Sequence, residues 1–183
     1  VKETYLMQPL HPYGVSKVAQ EGLAYQYWKN FGIDAFTMRI FNTTGPRKVG
    51  DVCADFTKQL AAIELGRQAP KIRVGNLNTR RAITDVRDEI RGFVLAMEKA
   101  QAGGAYNISG SKAYLIKDIL DIGIGFCNTE PEIFVDPALL RPTDELILFG
   151  DSTKLREATG WQQEIPIEKT IRDMIDYWKE KLK

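Results

Sequence analysis

The sequence predicts an α/β fold, on three observations. Early in the chain, short β-branched or aromatic runs alternate with longer segments whose apolar residues recur every three or four positions. Clusters of Gly, Pro and Asn punctuate these segments near 30–32, 42–50, 75–76 and 103–104. The 183 residues are 44% hydrophobic and 27% charged, an ordinary balance for a soluble unit with a real core.

Taken in order, residues 13–31 predict a helix with Val15, Val18, Ala19, Gly22 and Leu23 along one stripe, ended by Asn30-Phe31-Gly32. Residues 35–40 read as a buried strand, and 42–50 as the loop that leaves its C-terminal end. A helix over 52–65 turns Phe56, Leu60 and Ile63 inward and is capped by Gly66. A strand at 71–74 leads into the turn Gly75-Asn76. Thr84-Asp85 starts the next helix, with Val86, Ile90, Phe93, Val94 and Met97 at helical spacing, Asp85 as N-cap and Asp88 favourable to the dipole. Gly103-Gly104 ends it before a strand at 105–108.

The second half is shorter in its elements. A helix over 115–126 is expected despite Gly123 and Gly125, each costing about 1 kcal/mol relative to Ala. A strand at 132–135, a loop at 137–142 and a helix at 151–158 follow, then Gly160-Trp161. The final helix, 167–182, turns Ile167, Ile171, Met174, Ile175, Trp178 and Leu182 inward.

Composition excludes several functions. A formal charge of +1, with basic residues scattered, offers no field for nucleic acid or an anionic membrane. Cys53, Cys127 and the single histidine, His11, cannot supply a four-ligand zinc site, so no metal is expected. A His-based nucleophilic device would have to use His11, which before Pro12 suits a loop. With no long apolar run and no signal-like N-terminus, a cytoplasmic protein with reduced thiols is expected.

The spacing Tyr-x-x-x-Lys occurs three times, at Tyr13/Lys17, Tyr25/Lys29 and Tyr177/Lys181. Residues four apart share a helix face, so each pair sets a phenol beside an ammonium. Tyr25 and Tyr177 lie deep in aromatic-rich helical runs, where a ring packing on the core beside a solvated lysine is the expectation. Tyr13 stands at a helix start after Pro12 and is followed by the small residues Gly14, Val15 and Ser16, which leave room for a flat ligand. A phenol there can exchange a proton with an alcohol or carbonyl.

Tyr13-x-x-x-Lys17, Arg39-Ile40-Phe41-Asn42-Thr43-Thr44-Gly45-Pro46, Val74-Gly75-Asn76-Leu77, Thr84-Asp85-Val86-Arg87-Asp88 and Arg141-Pro142-Thr143-Asp144 follow one another in this chain. Together they resemble the C-terminal half of the extended short-chain dehydrogenase/reductases that act on nucleotide sugars. The GDP-4-keto-6-deoxymannose reductases and GDP-mannose 4,6-dehydratases are most similar, and the Thr84–Asp88 segment leans toward the reductases. The resemblance implies the later part of a Rossmann-type doubly wound sheet joined to a smaller α/β substrate lobe. Residues 1–50 would belong to the sheet domain and 51–183 mainly to the lobe, with some segments returning to the sheet. No strand-Gly-rich turn-helix unit precedes Tyr13, so the dinucleotide-binding half is expected to be absent from this stretch.

The same resemblance gives Tyr13 the proton transfer to substrate and Lys17 the nicotinamide ribose of NAD or NADP. It gives Asn42 the diphosphate-sugar, with turn capping before Gly45 as the alternative. Arg81 and Arg141 gain bidentate phosphate or ribose contacts, the alternative being solvated surface arginines. Asp144 gains a guanine edge or ribose hydroxyl, and Lys58 a weaker phosphate contact. A GDP-sugar substrate and a homodimer through the Tyr13 helix are implied. Ala82 departs from the acid that many relatives carry after the arginine. A non-catalytic nucleotide-sugar or protein-binding module remains the alternative function.

Overall fold

The computed structural model describes residues 1–140 and 145–183, and among these no helix is long and apolar enough to cross a membrane. It begins with helix α1 (Pro12–Phe31), then strand β1 (Thr37–Ile40) and strand β2 (Asn42–Thr44). Helix α2 (Val52–Glu64), strands β3 (Lys71–Val74) and β4 (Arg80–Asp85) and helix α3 (Val86–Lys99) follow. Strands β5 (Ala105–Ile108) and β6 (Ala113–Leu115), helix α4 (Ile116–Ile124) and strand β7 (Glu132–Val135) come next. A 3₁₀ turn (Pro137–Leu139), strand β8 (Ile147–Leu148) and helices α5 (Thr153–Thr159) and α6 (Ile167–Lys181) complete it.

Three small sheets carry the strands. β1 pairs in parallel with β5, Thr37 opposite Ala105, and β3 in parallel with β7. β4 is the hub of the third: β2 and β8 join it in parallel and β6 antiparallel, with Asn42 opposite Ile83.

The larger core lies among α2, α4 and α6 over β3 and β4, where Phe56, Leu60, Ile72, Ile83, Ile119, Ile171 and Met174 are buried. Asp51 starts α2 by accepting the Ala54 N–H at 2.7 Å, and Gly66 at φ 67° follows its last residues. Gly123, costly for a helix in isolation, is explained by packing: a Cβ there would stand 2.8 Å from Leu60 Cδ1. A second core joins Ala96, Tyr106, Ile108, Leu155 and Trp161, and the Trp161 indole donates to the Asp88 carbonyl at 2.8 Å.

Several expectations are corrected. The 42–50 stretch is not all loop, because Asn42–Thr44 forms β2 against β4. β4, β6 and β8 go unseen in the sequence, since Arg80 and Arg81 hide the strand whose Ala82, Ile83 and Thr84 are buried. β1 is half-buried rather than buried, with Ile40 54% exposed, because among the described residues β5 alone pairs with it. The α3 stripe is turned outward: Ile90, Val94 and Met97 are exposed, while Asp88, Glu89, Gly92 and Ala96 face inward. Tyr25 does not pack on the core. It is exposed and leans on Trp28, and no residue of α1 is buried at all.

One polar cluster ties the parts together. Asp85 caps α3 through the Arg87 N–H at 2.8 Å and accepts from the Thr170 hydroxyl of α6 at 2.7 Å. Arg87 bridges Asp85 and Asp173 of α6, at 2.7 and 2.8 Å. Burial opposes the Asp85 charge, but the Arg87 and Thr170 hydrogen bonds prevail and hold it below the usual carboxylate range.

Candidate active site

Pro12 fits the first turn of α1 because its missing N–H needs no partner there, and His11 Nδ1 caps the turn by accepting the Gly14 N–H at 3.0 Å. This geometry brings Tyr13 and Lys17 to one face. Lys17 Nζ lies 5.2 Å from the centre of the Tyr13 ring and donates to Gln20 Oε1 at 3.1 Å. Tyr13 is 68% exposed and opens, with Lys17, onto a cavity of about 620 Å³ between α1, the chain's first residues and β1. Arg39 anchors that wall. It grips Glu21 of α1 with two hydrogen bonds, at 2.9 and 2.6 Å, and donates to the Glu3 carbonyl at 2.9 Å.

A second cavity of about 350 Å³ lies beyond β2, between α2 and β4. Asn42 and Arg81, both expected at a substrate site, line it together. Asn42 Nδ2 donates to the Ala82 carbonyl at 3.2 Å, fixing the side chain across the β2–β4 pairing. Arg81 Nη1 donates to the Glu145 carbonyl at 2.7 Å and the Arg80 carbonyl at 2.9 Å. The two linings are consecutive in sequence at one peptide: Ile40 and Phe41 line the first cavity, and the next residue, Asn42, lines the second.

The other expected residues fall differently. Lys58 stands 5.2 Å over the Trp178 ring and lines neither cavity. Arg141 and Asp144 lie outside the described residues. Residues the sequence reading passed over also line the second cavity: Thr43, Asp51, Arg73 and Asn76. Asp51 was legible as an N-cap before Val52, and Asn76 as a turn residue. Arg73 had no signal, since its orientation depends on Asp136, which accepts from its Nε at 3.0 Å. That hydrogen bond lowers the Asp136 carboxyl, whereas burial raises Asp51 despite its cap bond.

An α/β fold with the Tyr13–Lys17 pair on one cavity and the amide of Asn42 and the guanidiniums of Arg73 and Arg81 on another is the class of arrangement that the geometry defines. The chain belongs to the GDP-mannose 4,6-dehydratase family, whose sequence pattern matches residues 1–174. It is 29% identical to a GDP-6-deoxy-D-mannose reductase of Pseudomonas aeruginosa over its full length, covering 60% of that protein. It is 27% identical to GDP-mannose 4,6 dehydratase 1 of Arabidopsis thaliana, with 95% of this chain aligned to 48% of that one. The solved structure of RMD from Pseudomonas aeruginosa, complexed with NADPH, superposes with a TM-score of 0.93 at 29% identity, covering 98% of this chain and 60% of that one. The fold is therefore the mixed α/β architecture of these enzymes. The chain spans about half to three fifths of the length of these relatives.

Proposed function

We propose that the chain carries the substrate cleft and proton-transfer pair of a nicotinamide-dependent GDP-sugar enzyme, with reduction of a GDP-4-keto-6-deoxymannose as the reaction. The observation that carries this reading is the junction at Phe41–Asn42, where the chain passes from the lining of the Tyr13 cavity to that of the Asn42–Arg81 cavity. A diphosphate sugar laid across that junction puts its phosphates among amide and guanidinium donors and its sugar toward Tyr13. Tyr13 gives its phenolic proton to the oxygen that becomes the alcohol. Lys17, one turn along α1, is placed for a ribose hydroxyl of NAD or NADP and to support Tyr13 as it loses its proton. When bound, the nicotinamide supplies the hydride. Tyr13 and Lys17 fit that group at its nicotinamide end. Arg141 and Asp144 are proposed to complete the substrate contacts.

The uncovered sides of α1, β1 and α3 support a further part of this reading. Val15, Leu23, Ile40, Ile90, Val94 and Met97 are all half or more exposed, in an area suited to packing against a dinucleotide-binding unit. A homodimer through α1 and a cytoplasmic setting complete the proposal.

Calorimetry on the 183-residue chain tests it. GDP should bind, and Arg81→Ala should weaken it roughly tenfold or more, as loss of a charged hydrogen-bond donor does. NAD or NADP should bind poorly, because pyrophosphate affinity comes mainly from a Gly-rich turn at a helix N-terminus. Micromolar NAD(P) binding by a monodisperse monomer, or no GDP binding at any concentration, would overturn the reading in favour of a different binding module.

A further inference from the structure

Glu89 is an acid with no part in the contacts assigned above. It lies near the start of α3, 5% exposed, and its Oε2 meets the hydroxyl of Thr43 on β2. The same hydroxyl is 3.3 Å from the Phe41 carbonyl oxygen. A threonine hydroxyl has one hydrogen to give, while a carbonyl and an ionised carboxylate only accept. An ionised Glu89 therefore leaves one of the two contacts without a hydrogen. A protonated Glu89 satisfies both, its O–H donating to Thr43 and Thr43 donating to Phe41.

The surroundings favour the protonated form. Burial pushes Glu89 up to about 7, and Lys48, exposed on the loop after β2, is the charged group opposing that rise. The neighbouring acids are engaged elsewhere: Asp85, the cap of α3, with Arg87 and Thr170, and Asp88 with Arg91 and the Glu164 and Ile165 N–H groups.

We propose that Glu89 is a positioning residue that works as a neutral acid, holding the Phe41–Asn42 peptide through Thr43 and thereby the Asn42 side chain in the cleft. On ionisation its proton goes to solvent and Thr43 turns its single hydrogen to the carboxylate. The Phe41 carbonyl then loses that donor. This inference rests on the nucleotide-sugar reading of the cleft for its effect on binding, but not for the hydrogen-bond relay itself.

The test has two readouts on the same protein. First, the Asn42 and Thr43 amide resonances of the free chain are followed by NMR across about pH 5 to 9. They should titrate with a midpoint near the Glu89 value of about 7, and should stand still in Glu89→Gln, whose amide donates to Thr43 at every pH. Second, GDP affinity should fall about five-fold through the same midpoint, the loss of one ordinary hydrogen bond, and stay level in Glu89→Gln. Thr43→Val, which removes the middle of the relay without altering α3, should also silence the Asn42 titration, and serves if Glu89→Gln does not fold. Resonances that do not move, or that move alike in wild type and either variant, overturn the proposal. A Glu89-dependent titration with no GDP binding at any pH supports the relay and overturns the nucleotide-sugar reading instead.

Discussion

Helices α2 and α6 bury Phe56, Leu60, Ile171 and Met174 against each other and α4, whereas α1, the longest helix described, buries nothing. Apolar content is not the difference, since α1 carries Val15, Leu23, Tyr25, Tyr27 and Phe31, all about half or more exposed. What differs is geometry. The α2, α4 and α6 faces meet one another over β3 and β4, while α1 lies along β1, the first few residues and the turn at Gly103, and none of its residues is buried there. Stability is therefore expected to sit among α2, α4 and α6, whereas Tyr13 and Lys17 sit on a helix with no buried residue. An apolar side chain contributes only where a second surface removes it from water.

The largest expected effect sharpens that contrast. Leu60→Ala, at a site 1% exposed, should lose about 2–5 kcal/mol in denaturant unfolding, the usual cost of a buried Leu cavity. A loss below 1 kcal/mol would show that the α2–α4–α6 core is not the stable part. In a catalytically competent preparation, Tyr13→Phe should lower turnover by about 10²-fold or more with GDP affinity unchanged. Near-normal kcat would remove Tyr13 from the chemistry.

Glu89 supplies the next effect. Its folded value of about 7 exceeds the ordinary 4.5, so between those values the native state holds a proton that the unfolded chain does not. Stability thus falls as pH rises through that window. Glu89→Gln has no such fall, and at pH 8 it should exceed wild type by up to about 3 kcal/mol, the gain vanishing near pH 4. Equal thermal midpoints at both pH values would show that Glu89 titrates normally. The smallest effect is expected at Leu23→Ala on α1, 57% exposed, within about 0.5 kcal/mol of wild type by the same unfolding assay. A loss as large as that at Leu60 would mean that α1 is covered in solution.

Helices α2 and α6 were legible because one face of each is largely apolar, with Thr57 and Thr170 the buried polar residues on those faces, and β3 because Ile72 and Val74 alternate with charged neighbours. The same rule misled at α3. Its apolar stripe is real, but Gly92 and Ala96, together with the satisfied acids Asp88 and Glu89, take the inner face. Strands β2 and β4 were hidden because Asn42, Thr43, Arg80 and Arg81 read as loop or surface, and their pairing spans some forty residues of sequence. At the site, Tyr13, Lys17, Asn42 and Arg81 could be named from motifs, and they line two cavities, the first pair one and the second pair the other. The position of Lys58 over Trp178 and the roles of Arg73 and Glu89 depend on distant partners, Trp178, Asp136 and Thr43, which periodicity does not connect.

β1 and β2 are separated by one residue, Phe41, so the chain passes from the lining of the first cavity to that of the second in a single residue step. Successive side chains of extended backbone point to opposite sides and advance about 3.3 Å each. Inserting one residue at position 41 would therefore turn Asn42 away from Arg81 and swap every later contact of β2, as a register slip does. Deletion would do the same. Length at this point is thus constrained more tightly than residue identity, and a chain that changed Phe41 to another large residue would keep the site where one that gained a glycine there would lose it.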